Sequence, residues 1–169
     1  MDIEAKIKEM GLEVTEAPRP AASYVPAVKA GDLVYISGQL PLLQGKLTAQ
    51  GKVEQEVTLE KAAEAAKICA LNCLYAVKGL GLSIEEIHRI IKVNGYVNSS
   101  PGFTGQPQVI NGASEFLIAV LGEQGKHARA AVGVSELPMN AAVEIDMILE
   151  LKPRLVAKEY IEQGPETGM

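Results

Sequence analysis

The segment 143–151 alternates between apolar and polar residues, and this pattern constrains the fold more than any other part of the chain. Every second residue is apolar: Val143, Ile145, Met147, Leu149 and Leu151. Successive side chains of a β-strand point to opposite faces of the sheet, so the segment predicts a strand with one face on a core. Glu144, Asp146 and Glu150 then lie on the other face.

The segment 127–134 has the same two-residue period and predicts a second strand. Its apolar set is expected to face the core: Ala128, Ala130, Val132 and Val134. Arg129 then falls on the opposite, polar face, together with Glu144.

Between the predicted strands, several segments have the spacing of apolar residues that is typical of helices. A stripe of small and apolar residues predicts a long helix that Thr58 caps and Gly81 ends, and a second stripe predicts a helix over 109–121. A short amphipathic helix is predicted over 3–10. Runs rich in β-forming residues predict a hairpin over 24–39 and a strand over 87–97.

Glycine and proline mark the segments without a regular period. Residues 42–57 and 98–107 are expected to be surface loops, and the C-terminal tail 153–169 is expected to fray.

The predicted order is β-β-α-β-α-β-β, an α+β fold with a mostly antiparallel sheet and both long helices on one face. The other face is expected to carry Arg129, Glu144, Asp146 and Glu150, and it is a candidate subunit interface.

Length and composition narrow the class of protein. The 169 residues are 47% hydrophobic and suit a single domain over 1–169 with a core at about 24–151. The net charge is −5 and no basic stripe is present, which disfavours nucleic acid as a partner. Without a long apolar run we expect no membrane association and a cytoplasmic location. Cys69 and Cys73 suit two small core residues of the long helix.

Common catalytic motifs for phosphate, zinc or serine chemistry are absent from the sequence, and His88 and His127 have no neighbours at metal-ligand spacing. We therefore expect no metal. Arg129 is the strongest candidate for a binding residue, because a guanidinium grips a carboxylate with two hydrogen bonds. The alternative is a structural salt bridge from Arg129 to Glu144 or Glu150.

Several phrases, taken together and in order, resemble one known family. They are YV at Tyr24, VYISGQLP at 34–41, VINGASEFL around Asn111, HARAAVGVSELP at 127–138 and VEIDMI at 143–148. The chain is similar over residues 24–151 to the RidA family, also called YjgF or L-PSP. The resemblance implies a chorismate-mutase-like fold assembled as a homotrimer with three clefts between subunits.

The resemblance also implies an activity and its residues. RidA proteins hydrolyse reactive 2-imino acids and enamines to 2-keto acids and ammonia without a cofactor. Carried over, Arg129 holds the substrate carboxylate and Glu144 positions the attacking water. Tyr24, Ser37 and Asn111 line the cleft.

Each of these residues also has a structural interpretation. Ser37 can form a hydrogen bond at a strand end, and Asn111 can form one to local backbone. Tyr24 can be a half-buried strand residue, and Glu144 can be a solvated strand residue. Two features depart from the family pattern: Ala131 stands where many members have cysteine, and the loop 98–107 is longer than usual. Three functions remain open: an imine or enamine deaminase, a non-catalytic trimer that binds small carboxylates, and an endoribonuclease that inhibits translation.

Overall fold

The fold is described from a computed structural model, which covers residues 2–12 and 23–153. The predicted order β-β-α-β-α-β-β is confirmed, with the short helix α1 (Ile3–Glu9) ahead of it. Most of the predicted C-terminal tail, residues 154–169, lies outside the described residues. No helix of the described part is both long and apolar enough to cross a membrane.

A five-stranded sheet forms the centre, in the spatial order β1-β2-β7-β5-β6. Its strands are β1 (Ala27–Ala30), β2 (Leu33–Gln39), β5 (Ile87–Asn98), β6 (Ala128–Val134) and β7 (Val143–Leu151). Neighbouring strands run antiparallel except β5 and β6, which run parallel. The prediction of a mostly antiparallel sheet is therefore confirmed, and β6 lies at one edge.

The helices α2 (Leu59–Ala76) and α3 (Gln106–Leu121) pack on one face of this sheet and against each other. Thr58 caps α2 as predicted, since its hydroxyl accepts a hydrogen bond from the Lys61 backbone N–H at 3.3 Å. The two helices approach closely at Gly112, where a Cβ atom would collide with the Ala63 carbonyl. The predicted two-layer arrangement is confirmed.

The segment 42–57 is not the plain surface loop that its glycines predicted. It forms a small hairpin of β3 (Leu42–Leu43) and β4 (Lys46–Leu47), and its residues Val53 and Val57 are buried. The buried amide of Asn72 on α2 draws the segment inward by donating to the carbonyls of Leu40 and Leu42 at 3.0 and 2.9 Å. The side chain of Asn72, to which the sequence pattern assigns no role, thus supplies hydrogen-bond donors for backbone carbonyls of this segment.

Cys69 and Cys73 are core residues, as expected. Both are free and fully buried, and their thiols lie against the Val143 and Ile145 carbonyls of β7. Burial raises the pKa of both thiols well above the usual value, so both stay protonated and unreactive.

The face assignment of β6 is the reverse of the prediction. Val93 of β5 pairs in register with both Arg129 and Met147, and Val93 and Met147 are buried on the helix side of the sheet. Tyr96 of β5 pairs with Glu144, which lies on the helix-free face. Arg129 and Glu144 therefore lie on opposite faces of the same sheet, not together on one polar face.

Side-chain size explains this reversal. A Cβ atom on Gly133 would lie 2.8 Å from Nε2 of Gln106, so the small residues of β6 let the start of α3 come close. Val132 instead lies on the helix-free face, where it is 47% exposed. Alternation separates two sets of side chains but does not say which set the helices cover.

Candidate functional site

The guanidinium of Arg129 is held by three acceptors on α3. Its Nη1 donates to Asn111 Oδ1 at 2.8 Å and to Ser114 Oγ at 3.1 Å, and Nη2 donates to the Pro107 carbonyl at 3.4 Å. These bonds use three of the five N–H donors. Nε–H and one Nη2–H remain, which is enough for a two-point grip on a carboxylate.

The predicted salt bridge from Arg129 to Glu144 or Glu150 is wrong. Both acids belong to the helix-free face of β7, whereas the side chain of Arg129 crosses the other face to reach α3. Its hydrogen-bond partners in the described residues are neutral oxygens, which leave the positive charge available to an anion. The structure brings Arg129 and Asn111 into direct contact, so the side-chain oxygen of Asn111 accepts from Arg129 and not from local backbone.

Ser114 and His127 extend this contact. Ser114 Oγ lies 3.0 Å from Nε2 of His127, and Nδ1 of His127 lies 2.6 Å from the Gly125 carbonyl. A carbonyl only accepts, so Nδ1 carries the hydrogen and Nε2 of the neutral ring accepts from the Ser114 hydroxyl. Burial lowers the pKa of His127 and outweighs the bond to Gly125, and the charge of Arg129 adds to the lowering, so the neutral form of the ring is favoured. We call Arg129, Asn111, Ser114 and His127 the arginine cluster.

A second group of polar residues lies on the helix-free face around Glu144. The carboxyl group of Glu144 lies directly over Gly38 of β2, where a Cβ atom would collide with it. Burial, and then the charge of Asp146, raise the pKa of Glu144. Glu144 is thus suited to hold and release a proton nearer neutral pH than an exposed glutamate.

Asp146 accepts two hydrogen bonds on the same face as Glu144. One carboxylate oxygen accepts from Asn94 Nδ2 at 2.8 Å and the other from the Tyr96 hydroxyl at 2.7 Å. The second bond is the chief reason why the pKa of Tyr96 rises to about 12. We call Glu144, Asp146, Asn94 and Tyr96 the carboxylate cluster.

Ser37 and Tyr24 lie on either side of one contact, in which Ser37 bonds to the residue that follows Tyr24. Ser37 directly precedes Gly38, at the point where the register of β2 against β7 shifts. Its hydroxyl donates to the Val25 carbonyl at 2.7 Å, in keeping with the strand-end interpretation. Tyr24 directly precedes Val25 and is 50% exposed. Of the five predicted residues, the structure thus brings Arg129 and Asn111 into direct contact, whereas Glu144 lies on the other face, over Gly38.

The sequence reasoning did not single out Gly38, Ser114 or His127 as site residues. Ser114 stands three residues after Asn111, a spacing that places both side chains on one helix face. His127 stands two residues before Arg129, which places both on one face of a strand. With Arg129 and Asn111 as candidates, these two spacings were enough to predict that Ser114 and His127 lie beside them.

Within the described residues, no group of three or more His, Cys, Asp or Glu side chains could hold a metal ion. The chemistry that the two clusters can perform is the binding of an anion at Arg129 and proton transfer at Glu144.

Comparison with known proteins gives matches over most of the chain. The family model described as Endoribonuclease L-PSP matches residues 14–151. The crystal structure of the protein Atu1372 from Agrobacterium tumefaciens, described as of unknown function, is 47% identical. The match covers 88% of this chain and 91% of that one, with a TM-score of 0.80.

Two curated relatives add to this picture. Protein TCP17 from Trypanosoma cruzi is 38% identical over 150 residues, which are 88% of this chain and 94% of the relative. A protein from Dermatophagoides farinae named 2-iminobutanoate/2-iminopropanoate deaminase is 28% identical over 137 residues, which are 80% and 91% of the two chains.

Proposed function

The chain belongs to the family described as Endoribonuclease L-PSP, and from this premise we propose that it hydrolyses 2-imino acids and their enamine tautomers to 2-keto acids and ammonia. The observation that carries the proposal is the hydrogen bonding of the Arg129 guanidinium. Its guanidinium is held by neutral acceptors and keeps two N–H donors for a ligand. A 2-imino acid carries a carboxylate next to its C=N bond, so binding of the carboxylate places the reacting carbon at a set distance from Arg129.

Glu144 suits the second half of the reaction. A protonated imine is electrophilic, and water adds to its carbon when a base accepts the proton of the water. The proton then returns to the nitrogen of the carbinolamine, the C–N bond breaks to release ammonia, and the hydroxyl gives its proton to the carboxylate or to water as the C=O bond of the 2-keto acid forms. The raised pKa of Glu144 supports a role in both transfers. The relative named as an imine deaminase supports the same reaction class.

Arg129 and Glu144 lie on opposite faces of one sheet, so one copy of the chain does not bring them to a common ligand. We infer that the site forms between copies, with the arginine cluster of one facing the carboxylate cluster of the next. Arg129 lies on the edge strand β6, and the helix-free face exposes Tyr35 and Val132, each 47% accessible. Both features favour association, and the family resemblance suggests a homotrimer.

A coupled assay tests the activity. An amino-acid oxidase generates 2-iminopropanoate from alanine, semicarbazide traps the imine, and the protein competes by hydrolysing it. We expect wild type to lower the trapped imine, and Arg129→Ala and Glu144→Gln each to reduce kcat/KM roughly 100-fold or more. Arg89→Ala, which removes an exposed arginine of β5, is the matched control and should behave as wild type.

Binding without catalysis is the second candidate function, because the arginine cluster is complete within one chain and does not include Glu144. It predicts that pyruvate binds to wild type and to Glu144→Gln but not to Arg129→Ala, while no protein changes the trapped imine. That result would replace the deaminase proposal. RNA cleavage that survives purification and disappears in a site variant would instead support a nuclease. The net charge of −5 argues against this function, because binding of nucleic acid depends on positive charge.

A further inference from the structure

Four groups form a continuous chain of contacts that runs from β6 through α3 to the turn that follows α3. Arg129 donates to Ser114 Oγ, Ser114 lies at hydrogen-bond distance from His127, and His127 donates to the Gly125 carbonyl. Gly125 is buried and packs so closely on α3 that a Cβ atom there would collide with the Leu117 carbonyl. The position of the Gly125 carbonyl is therefore set by the helix that also carries Ser114.

The direction of the hydrogen bonds along this chain is determined. Because Gly125 offers only an acceptor, His127 Nδ1 donates to it and Nε2 of the neutral ring accepts. The Ser114 hydroxyl hydrogen then points to His127, and a lone pair of Ser114 Oγ faces Nη1 of Arg129. A hydroxyl that rotated freely would present its hydrogen to Nη1 part of the time and repel it.

Three features of Arg129 make such support necessary. It lies on an edge strand, and its long side chain loses conformational freedom when it is held. Its other Nη1 acceptor, Asn111, is exposed, so water competes for that bond, whereas the contact with Ser114 is partly buried.

We propose that Ser114 and His127 are positioning residues for Arg129. His127 orients the Ser114 hydroxyl, Ser114 holds Nη1, and the remaining Nε–H and Nη2–H are thereby kept towards the carboxylate of a ligand. The inference rests on the proposed function for the identity of that ligand, a 2-imino or 2-keto acid. It assigns no bond making to Ser114, which acts through Arg129.

Calorimetric titration with pyruvate, an unreactive 2-keto acid, tests the proposal on the full chain. We expect Ser114→Ala to weaken binding about 10-fold, since one hydrogen bond to a charged group is lost. His127→Phe should weaken it in the same direction. Ser114→Thr keeps the hydroxyl and should bind as wild type does, and so should His88→Phe, the matched control for loss of an imidazole.

A second arm separates positioning from a general disturbance of the fold. In an Arg129→Lys background, which keeps a charge but has no Nη1 group, Ser114→Ala should cause no further loss of affinity. Equal affinity of wild type and Ser114→Ala, or an undiminished loss in the Arg129→Lys background, overturns the inference and leaves the proposed function intact.

A third arm needs no ligand. In ¹⁵N NMR spectra, hydrogen-bonded Nη1 of Arg129 should give signals with restricted rotation in wild type, and these should average in Ser114→Ala. If the coupled assay shows no hydrolysis and pyruvate does not bind wild type, the proposed function fails and this measurement alone decides: averaging on loss of Ser114 supports positioning, and unchanged signals overturn it. Covalent labelling of Ser114 by a fluorophosphonate would also overturn it, by making Ser114 a nucleophile.

Discussion

Glu144, the base of the proposed reaction, lies in surroundings that lower the stability of the fold when its carboxyl group is ionised. Its carboxyl group is half-buried over Gly38 and faces the charge of Asp146, and both conditions disfavour ionisation. Function at neutral pH needs the carboxylate as a base, so the protein carries an unfavourable charge where the proposed reaction takes place.

This cost predicts a pH-dependent effect of Glu144→Gln on stability. The folded pKa is raised above the unfolded value of about 4.3, so the native state binds more protons and stability is lost as pH rises through the folded pKa. Glutamine removes that loss. We expect the Tm of Glu144→Gln to exceed that of wild type by about 1–3 °C at pH 7–8 and to match it near pH 4.

Thermal denaturation between pH 4 and pH 8 measures this difference. Glu150→Gln removes one negative charge from the same strand and face and is the control. A Tm difference that stays constant with pH, or one that is equal in both variants, would assign the effect to net charge and contradict the role of burial at Glu144.

At the scale of elements, the contact between α2 and α3 determines where the arginine cluster stands. Gly112 of α3 lies directly beside Asn111 in sequence and packs against the backbone of Ala63 on α2. The acceptors for Arg129 are thus placed by a close approach of two helices that tolerates no side chain at this position.

Gly112→Ala should therefore destabilise the fold. The added Cβ collides with the backbone carbonyl of Ala63, which no rotamer change can relieve, and overpacking of this kind costs roughly 2 kcal/mol and lowers Tm by about 4–8 °C. Gly79→Ala is the matched control, since a Cβ atom there meets nothing within 4 Å. Chemical denaturation that finds equal stability losses for the two variants would show that the helix contact is not tight.

At the scale of the whole molecule, the proposed function makes the two polar clusters halves of one site. The arginine cluster faces α3 at the edge of the sheet, and the carboxylate cluster lies on the helix-free face. If copies associate in a ring, each contact joins the first cluster of one copy to the second cluster of its neighbour.

Mixing two inactive variants tests this arrangement. Arg129→Ala retains Glu144, and Glu144→Gln retains Arg129, so mixed assemblies regain some contacts with both groups intact. For equal amounts exchanged at random, about a quarter of the contacts are complete, and we expect about a quarter of the wild-type deaminase activity. A mixture as inactive as its components, after subunit exchange is verified, would place both residues' functions within one copy.

The order of elements, the helix cap at Thr58 and the burial of Cys69 follow from local pattern, and the structure agrees with each. These features depend on side-chain period, on capping chemistry and on apolar character, which are properties of short stretches of chain. The segment 42–57 was misjudged because its partner, Asn72, comes from a helix further along the chain.

In the candidate site too, some features follow from the sequence and others only from the tertiary structure. The sequence alone determined which residue types were present for the chemistry, Arg129 and Glu144 above all, and the strands that carry them. Only the tertiary structure decided that Arg129 turns towards α3 while Glu144 lies on the other face, and that Ser114 and His127 stand behind Arg129. The reason is physical: a period of two assigns side chains to two faces, but the packing of α3 over Gly133 selects which face the helices cover.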